Sequence, residues 1–257
     1  MTLLFLLACA KAPEAPAAME QLAGWFFREW PNEDPAAMQS AVLQLYDCAD
    51  KVDLHAEDPL DRGWVVGPLA RPDVEGLVEH DNDPANSFGV GIVYASSHDL
   101  DAHMEVIAVA DQTQVEPNSE RFDRTWVDGD PDCLREGSCE SMRSHNDVHR
   151  KNVLYEIEYE IIKEWRYVDV VDQDGQVVDQ ALAARSWNLD EVTDDTVKLL
   201  QGYALDVFVP TDTGSTRLHL SWQETDIPGL DDSDMQGAMV NGIEDLLVYQ
   251  EEWLDAQ

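Results

Sequence analysis

Apolar residues in the first part of the chain recur at helical spacing. Residues 19–30 form one such segment, and Pro31 ends it. A second segment begins at Asp34-Pro35, where Asp is a favoured N-cap residue and Pro a favoured first helical residue. Each segment therefore predicts a helix with one buried face. The predicted buried residues are Met19, Leu22, Phe26 and Trp30 in the first helix, and Met38, Ala41, Leu45 and Cys48 in the second.

From residue 88 onward, apolar residues alternate with polar or small ones, which predicts strands. The clearest stretch interleaves tyrosine and isoleucine with Glu156, Glu158 and Glu160, as in a strand with one solvated face. Six strands are predicted, with a hairpin turn at residues 172–175. They begin near Phe88, Met104, Tyr155, Val177, Tyr203 and Leu218.

The last predicted element is a helix from about Asp234 to the C-terminus. Gly237 and Gly242 lie inside it, which predicts close approach to another backbone. Its predicted buried residues are Met235, Met239, Ile243, Leu246 and Trp253. The element order predicts an α+β fold, with an antiparallel sheet of about six strands. The N-terminal helices and the long C-terminal helix are expected to pack on one face of that sheet.

This order of elements resembles the helix-grip arrangement of START-like proteins, in which a sheet wraps a C-terminal helix. The resemblance covers element order and no sequence motif. It implies a cavity for an apolar ligand between the sheet and the C-terminal helix.

The charge composition of the chain argues against nucleic acid and anionic membrane surfaces as partners. The chain has 257 residues, with 53 Asp and Glu against 16 Lys and Arg, and a formal net charge of −37. Such a charge repels nucleic acid and anionic headgroups. Residues 19–257 are predicted to form a single acidic domain with a solvated surface, the alternative to that surface being a dedicated cation-binding role.

The N-terminus suggests export. Leu6-Leu7-Ala8-Cys9 resembles the lipobox of bacterial lipoproteins, which implies a signal segment at residues 1–9 and a lipid on Cys9. Residues 10–18 have the Pro- and Ala-rich composition of a flexible tether. The expected location is the bacterial cell envelope, with a membrane anchor. The alternative is an apolar chain end with no targeting role.

The remaining cysteines agree with export. Cys133 and Cys139 flank a short polar loop, so a disulfide between them is predicted in an oxidising compartment. Cys48 is predicted to be a buried, inert thiol, against the alternative of a reactive one.

Three motifs are candidate catalytic or metal sites. Asp212-Thr213-Gly214-Ser215 matches the aspartic-protease tetrapeptide, but the chain has no second copy, which favours a hairpin turn. His145 and His149 are spaced as zinc ligands on a helix would be, although no helical pattern surrounds them. Alternating carboxylates at Asp128, Asp130 and Asp132 are weak candidates for calcium, against a solvated acidic loop.

Charged and aromatic side chains leave further alternatives open. Arg143, Arg150 and Lys151 form a basic cluster that either neutralises nearby carboxylates or receives an anionic partner. His219 is expected on the solvated face of its strand. Four aromatic residues are predicted to be core or, alternatively, to line an apolar pocket. They are Trp165, Tyr167, Tyr203 and Trp222.

No motif commits the chain to a reaction or a cofactor, which favours a non-catalytic envelope lipoprotein that binds proteins or has a structural role. Two other hypotheses stay open. One is a carrier of a small apolar ligand between the sheet and the C-terminal helix. The other is a hydrolase with an unrecognised site, which requires a pocket containing a histidine or carboxylate of strongly shifted pKa.

Overall fold

The structure of the chain is a computed structural model. It describes residues 15–16, 19–32, 35–49, 56–58, 62–78, 80–151, 156–171, 176–193 and 197–257. The five α-helices of this part are α1 (Met19–Glu29), α2 (Pro35–Ala49), α3 (Leu100–Ala108), α4 (Pro131–Arg135) and α5 (Asp232–Asp255). The strands are β1 (Gly63–Val66), β2 (Phe88–Ser96), β3 (Ser119–Asp128), β4 (Ser141–Lys151), β5 (Glu156–Val171), β6 (Val177–Asn188), β7 (Val192–Thr193), β8 (Lys198–Thr211) and β9 (Gly214–Asp226).

All nine of these strands join one antiparallel sheet in the order β1-β2-β9-β8-β6-β5-β4-β3, with β7 paired to β8. The predicted α+β class, with an antiparallel sheet and a C-terminal helix packed on it, is confirmed. The sheet is larger than the six predicted strands. β3 and β4 escaped prediction because polar side chains such as Arg124, Ser144 and Asn146 lie on their buried face.

The helices lie on both faces of the sheet, and not on one as expected. On the α5 face, Val90 and Ile92 of β2 pack against Val240 and Ile243 of α5. On the opposite α1–α2 face, Phe27 makes edge-on ring contacts with aromatic side chains of β8 and β9. The central strands carry apolar side chains on both faces of the sheet, so helices must pack on each face to bury them.

Residues 100–108 form helix α3, and the strand predicted to begin near Met104 is wrong. The Asp99 side chain caps the helix by accepting a hydrogen bond from the Ala102 amide. Leu100, Met104 and Ile107 recur at helical spacing and pack together against the α5 face.

Helix α5 is anchored at two places. Its middle contacts β2, and Leu254 near its end packs with Val106 and Val115. A Cβ atom added at Gly237 or Gly242 would meet nothing within 4 Å. The predicted close backbone approach at these glycines is therefore wrong.

The predicted disulfide between Cys133 and Cys139 is present, with an S–S distance of 2.10 Å. It closes the loop that follows α4. Met38, Ala41 and Leu45 are fully buried, which confirms the predicted face of α2. The side chain of Cys48, residue Tyr155 and the turn at residues 172–175 lie outside the described part.

Candidate functional site

A cavity of about 520 Å³ lies between the α5 face of the sheet and the first half of α5. Small-molecule sites in proteins typically occupy about 300–1,000 Å³. The cavity is where the helix-grip resemblance places a ligand.

The floor of the cavity consists of small side chains on the central strands. Ser186 of β6 is paired with Ala204 of β8, and Ala204 with Ser221 of β9. The following residues in each strand are larger but point to the opposite face, where they fill the core under α1 and α2. These strands therefore have little side-chain volume on the α5 face at the point where the helix crosses.

The walls and roof are mainly apolar. Ile157, Tyr159 and Ile161 of β5 form one wall. Met239 and Ile243 are among the α5 residues that form the roof. This lining suits the hydrocarbon part of a ligand.

One end of the cavity is charged. Asp206 of β8 is 3% exposed. Its carboxylate accepts hydrogen bonds from Arg217 Nε at 2.8 Å and from His219 Nδ1 at 2.7 Å. Burial alone would raise the pKa of Asp206, but the charge of Arg217 and the contact with His219 hold it well below its usual value. Asp206 is therefore a buried anion that orients two side chains lining the cavity.

Lys163 of β5 lies at the same end and lines the cavity. Its Nζ is 6.0 Å from the centroid of the Trp165 ring. Within the described residues, no carboxylate forms an ion pair with it. Burial lowers the pKa of Lys163 despite the nearby Asp206. Its positive charge is thus incompletely compensated.

A second space, of about 20 Å³, lies behind the charged end and is large enough for one water molecule. Arg124 lines it, donating to Asn146 Oδ1 at 2.9 Å and to the Ile107 carbonyl. Burial lowers the pKa of Arg124 to about 9. Glu116 lines both spaces and accepts a hydrogen bond from Arg150 at 3.1 Å.

His103 of α3 connects three elements beside this end. Its Nε2 lies 3.1 Å from Ser96 Oγ and 3.0 Å from Ser215 Oγ. Ser96 donates its own proton to Glu251, and Ser215 donates to the His98 carbonyl. His103 Nε2 must therefore carry the proton in these contacts, so it does not act as a base toward either serine. Burial and the nearby Arg217 charge lower the pKa of His103 to about 3.

The structure separates the four aromatic residues predicted as core or pocket. Tyr203 and Trp222 pack edge-on against Phe27 on the α1–α2 face, although some of their atoms border the cavity. Trp165 borders the smaller space on the α5 face. Tyr167 is partly buried and packs in the same cluster as Trp165.

The acidic metal candidates make other contacts. Asp130 caps α4 by accepting from the Cys133 amide at 2.8 Å, and Asp132 lies 3.8 Å from Arg135. Asp128 is the last residue of β3. Calcium binding by these three carboxylates stays a prediction.

The histidines spaced as metal ligands lie on strand β4. His145 Nε2 is 2.8 Å from Glu160, and His149 Nε2 is 3.1 Å from Glu156. Glu120 joins His149 and Glu156 in a group whose ligand atoms lie within 4.8 Å of one another. Glu120 and Glu156 are exposed, so the group lies at the surface, and metal binding by His145 and His149 stays a prediction.

Two further motifs have structural roles. Asp212 and Thr213 are exposed in the turn between β8 and β9, as a hairpin requires. The basic cluster is paired with carboxylates: Arg143 with Glu164, Arg150 with Glu116, and Lys151 with Glu156.

The charged end of the cavity was missed by the sequence interpretation. His219 is 9% exposed and paired with Asp206, so the expectation of a solvated histidine is wrong. A signal exists for Lys163, which interrupts the apolar row between Ile161 and Trp165. No comparable signal marks Asp206 or Arg217, because their environment depends on the pairing of β8 and β9.

The predicted lipid site, Cys9, lies outside the described residues. Ala15, within the predicted tether, is buried, and its backbone is hydrogen bonded to Ser40 and Gln44 of α2. In the described part of the chain, no helix combines the length and apolar character needed to cross a membrane.

No protein-family model matches the chain, and no curated protein matches it in sequence. Several solved structures are similar in fold. TTHA0849 from Thermus thermophilus is 15% identical with a TM-score of 0.43, over 65% of this chain and 97% of that one. A STAR-related lipid transfer protein fragment from Xanthomonas axonopodis is 11% identical with a TM-score of 0.42, over 66% and 85%. Ara h 8.0201 is 10% identical with a TM-score of 0.38, over 66% and 99%. All three TM-scores are below 0.5, so this similarity assigns no function to the chain.

Proposed function

We propose that this protein binds and carries a small, largely apolar molecule in the cavity under α5. The observation that supports the proposal is the cavity of about 520 Å³, with an apolar wall from β5 and an apolar roof from α5. Its volume falls within the range of small-molecule sites.

A purely structural role explains this cavity poorly. Protein cores are otherwise packed as densely as organic crystals. On the opposite face, the neighbouring residues Trp187 and Leu205 fill the core, whereas Ser186 and Ala204 leave space beneath α5.

Native mass spectrometry tests the proposal. The full chain carrying Cys9→Ser, so that no lipid is attached, is produced with export to an oxidising compartment and desalted. We expect an added mass that disappears on denaturation and identifies the ligand class. A bare chain that also fails to bind any apolar probe in solution would contradict the carrier function.

A second candidate is acid–base catalysis on the bound molecule. It is favoured by one observation: His219 lines the cavity while Asp206 holds its other ring nitrogen. A carboxylate that orients a histidine in this way is common in enzymes. Recovery of the captured molecule chemically unchanged after prolonged incubation with the protein would contradict this candidate.

We further propose that Cys9 carries a lipid and anchors the protein in a bacterial cell envelope. The lipobox-like Leu6-Leu7-Ala8-Cys9 supports this. Labelling with an alkyne fatty acid is expected to mark the chain, and Cys9→Ser is expected to abolish the label. A label that persists in Cys9→Ser would contradict the anchor without affecting the carrier proposal.

A further inference from the structure

The charges around the cavity do not follow the composition of the chain. Overall, acidic residues outnumber basic ones by 53 to 16. Among the side chains that line the two spaces, basic residues outnumber acidic ones by four to three. They are Arg124, Arg150, Lys163 and Arg217 against Glu116, Asp206 and Asp245. The two spaces are therefore locally basic within a strongly acidic molecule.

The inner carboxylates already have partners. Asp206 is held by Arg217 and His219, and Glu116 by Arg150. The third carboxylate, Asp245, is exposed on α5 at the rim. None of the three forms an ion pair with Lys163 in the described structure. Lys163 is partly buried, and a positive charge with this little compensation is less favourable there than in water unless something else supplies the counter-charge.

Arg217 offers a further hydrogen-bond donor at the same end of the cavity as Lys163. It donates through Nε to Asp206 and through Nη1 to Gln250 Oε1 at 2.6 Å. Among the described residues, no hydrogen bond uses its Nη2. A guanidinium held at two nitrogens is pre-oriented to donate from the third.

We propose that the ligand carries a single negative charge at one end, bound by Lys163 and Arg217, with its hydrocarbon body under α5. This inference rests on the proposed carrier function. One negative charge matches the main cavity, where Arg217 is paired with Asp206 and Arg150 with Glu116, whereas Lys163 has no ion pair among the described residues. Arg124 has no ion pair there either, but it lines only the smaller space. An aliphatic carboxylate has the required chemistry: an anionic head and an apolar body.

Three probes with the same tail test the proposal: dodecanoate, dodecan-1-ol and dodecylammonium. Binding to the full chain carrying Cys9→Ser is measured by calorimetry at pH 7, below the concentration at which each probe aggregates. We expect dodecanoate to bind at least tenfold more tightly than dodecan-1-ol, and dodecylammonium most weakly. Equal affinity for the carboxylate and the alcohol would overturn the anionic head group and leave the carrier function standing. Failure of all three to bind would overturn both.

Substitutions of Lys163 test whether this residue causes the preference for dodecanoate. Lys163→Met is expected to remove the preference for dodecanoate while changing the dodecan-1-ol affinity less than twofold. Lys163→Arg is expected to keep the preference. Lys198→Met is the matched control, because Lys198 is exposed and pairs with Asp226 on the surface. A full preference for dodecanoate in Lys163→Met would overturn the role of Lys163, and unchanged alcohol binding shows that this variant is folded.

Discussion

At the scale of single residues, Lys163 differs from the other lysines in the described part of the chain. Lys151 and Lys198 each pair with a carboxylate on the surface, at 2.6 and 2.9 Å. Lys163 faces the cavity without such a partner and has a lowered pKa because of burial. A lysine with a lowered pKa that faces a cavity is typical of a binding site.

Lys163→Met is therefore expected to stabilise the ligand-free protein. The substitution keeps the length and apolar stem of the side chain and removes a poorly compensated charge. We expect the free energy of unfolding to rise by about 1–2 kcal/mol. Urea unfolding of stripped protein measures it, with Lys198→Met expected to stay within about 0.5 kcal/mol of wild type. A lower stability of Lys163→Met would show that the ammonium is well compensated in the empty protein.

His103 predicts a dependence of stability on pH. Its pKa is lowered to about 3 in the folded protein by burial and the Arg217 charge, whereas an unfolded histidine titrates near 6.5. The unfolded state therefore binds the extra proton between these values. The contribution of His103 is fully present above pH 6.5 and is lost as pH falls toward 3.

The comparison variant is His103→Gln, whose amide can still bond to Ser96 and Ser215. Between pH 6 and 4, wild type is expected to lose about 1.4 kcal/mol per pH unit more than the variant. Urea midpoints at several pH values give this difference. Parallel pH profiles for the two proteins would contradict the neutral, buried state of His103.

At the scale of elements, the two faces of strands β6 and β8 differ in packing. Ala183 is fully buried in the core under α1 and α2. Ala204, in the middle of the sheet on the α5 face, borders the cavity and is partly exposed to it. Ala183 is thus closely packed on the α1–α2 face, whereas Ala204 leaves space on the α5 face.

Ala204→Leu is expected to fill part of the cavity and weaken dodecanoate binding by tenfold or more, with little change in stability. Ala183→Leu is the matched control: the same enlargement in a packed core should destabilise the protein by about 1–3 kcal/mol. Calorimetric binding and urea unfolding of both variants provide the test. Undiminished binding by Ala204→Leu would place the ligand elsewhere.

Helix α5 has both of its glycines in its N-terminal half. Its middle and C-terminal turns pack on β2, Val106 and Val115, while Gly237 and Gly242 have open surroundings. Glycine lowers helix stability by about 1 kcal/mol relative to alanine. The weaker half of the helix is therefore the half that covers the cavity.

At the scale of the whole molecule, the net charge of −37 opposes the approach of an anion that the cavity itself attracts. Repulsion between exposed charges acts over about 30 Å at 0.01 M salt and about 10 Å at 0.1 M. Arg217 at the basic end of the cavity is buried, so salt screens its charge less than the charges of the surface.

The association rate of dodecanoate is therefore expected to rise several-fold between 0.01 and 0.3 M NaCl. Dodecan-1-ol is the uncharged control and should associate at a nearly constant rate. Stopped-flow measurement of intrinsic tryptophan fluorescence can follow both. A dodecanoate rate that falls with salt would show that the local basic charge dominates the approach.

Much of the fold was predictable because it depends on local pattern. Alternation in β5 and β8, the Asp34-Pro35 start and the cysteine spacing predicted elements and a disulfide that the structure contains. The strands β3 and β4 were not predictable, because Arg124, Ser144 and Asn146 make their buried face resemble a loop. The short apolar run of helix α3 fits a strand as well as a helix, which is why the strand predicted there is wrong.

The sequence by itself determined the α+β class and the formal net charge of −37. Only the tertiary structure decided that small residues from β6, β8 and β9 meet beneath α5 and leave a cavity. It also decided that Lys163 of β5 lies at the same end as Arg217 of β9. Local periodicity specifies elements and faces, whereas a cavity and its charge depend on which distant strands become neighbours.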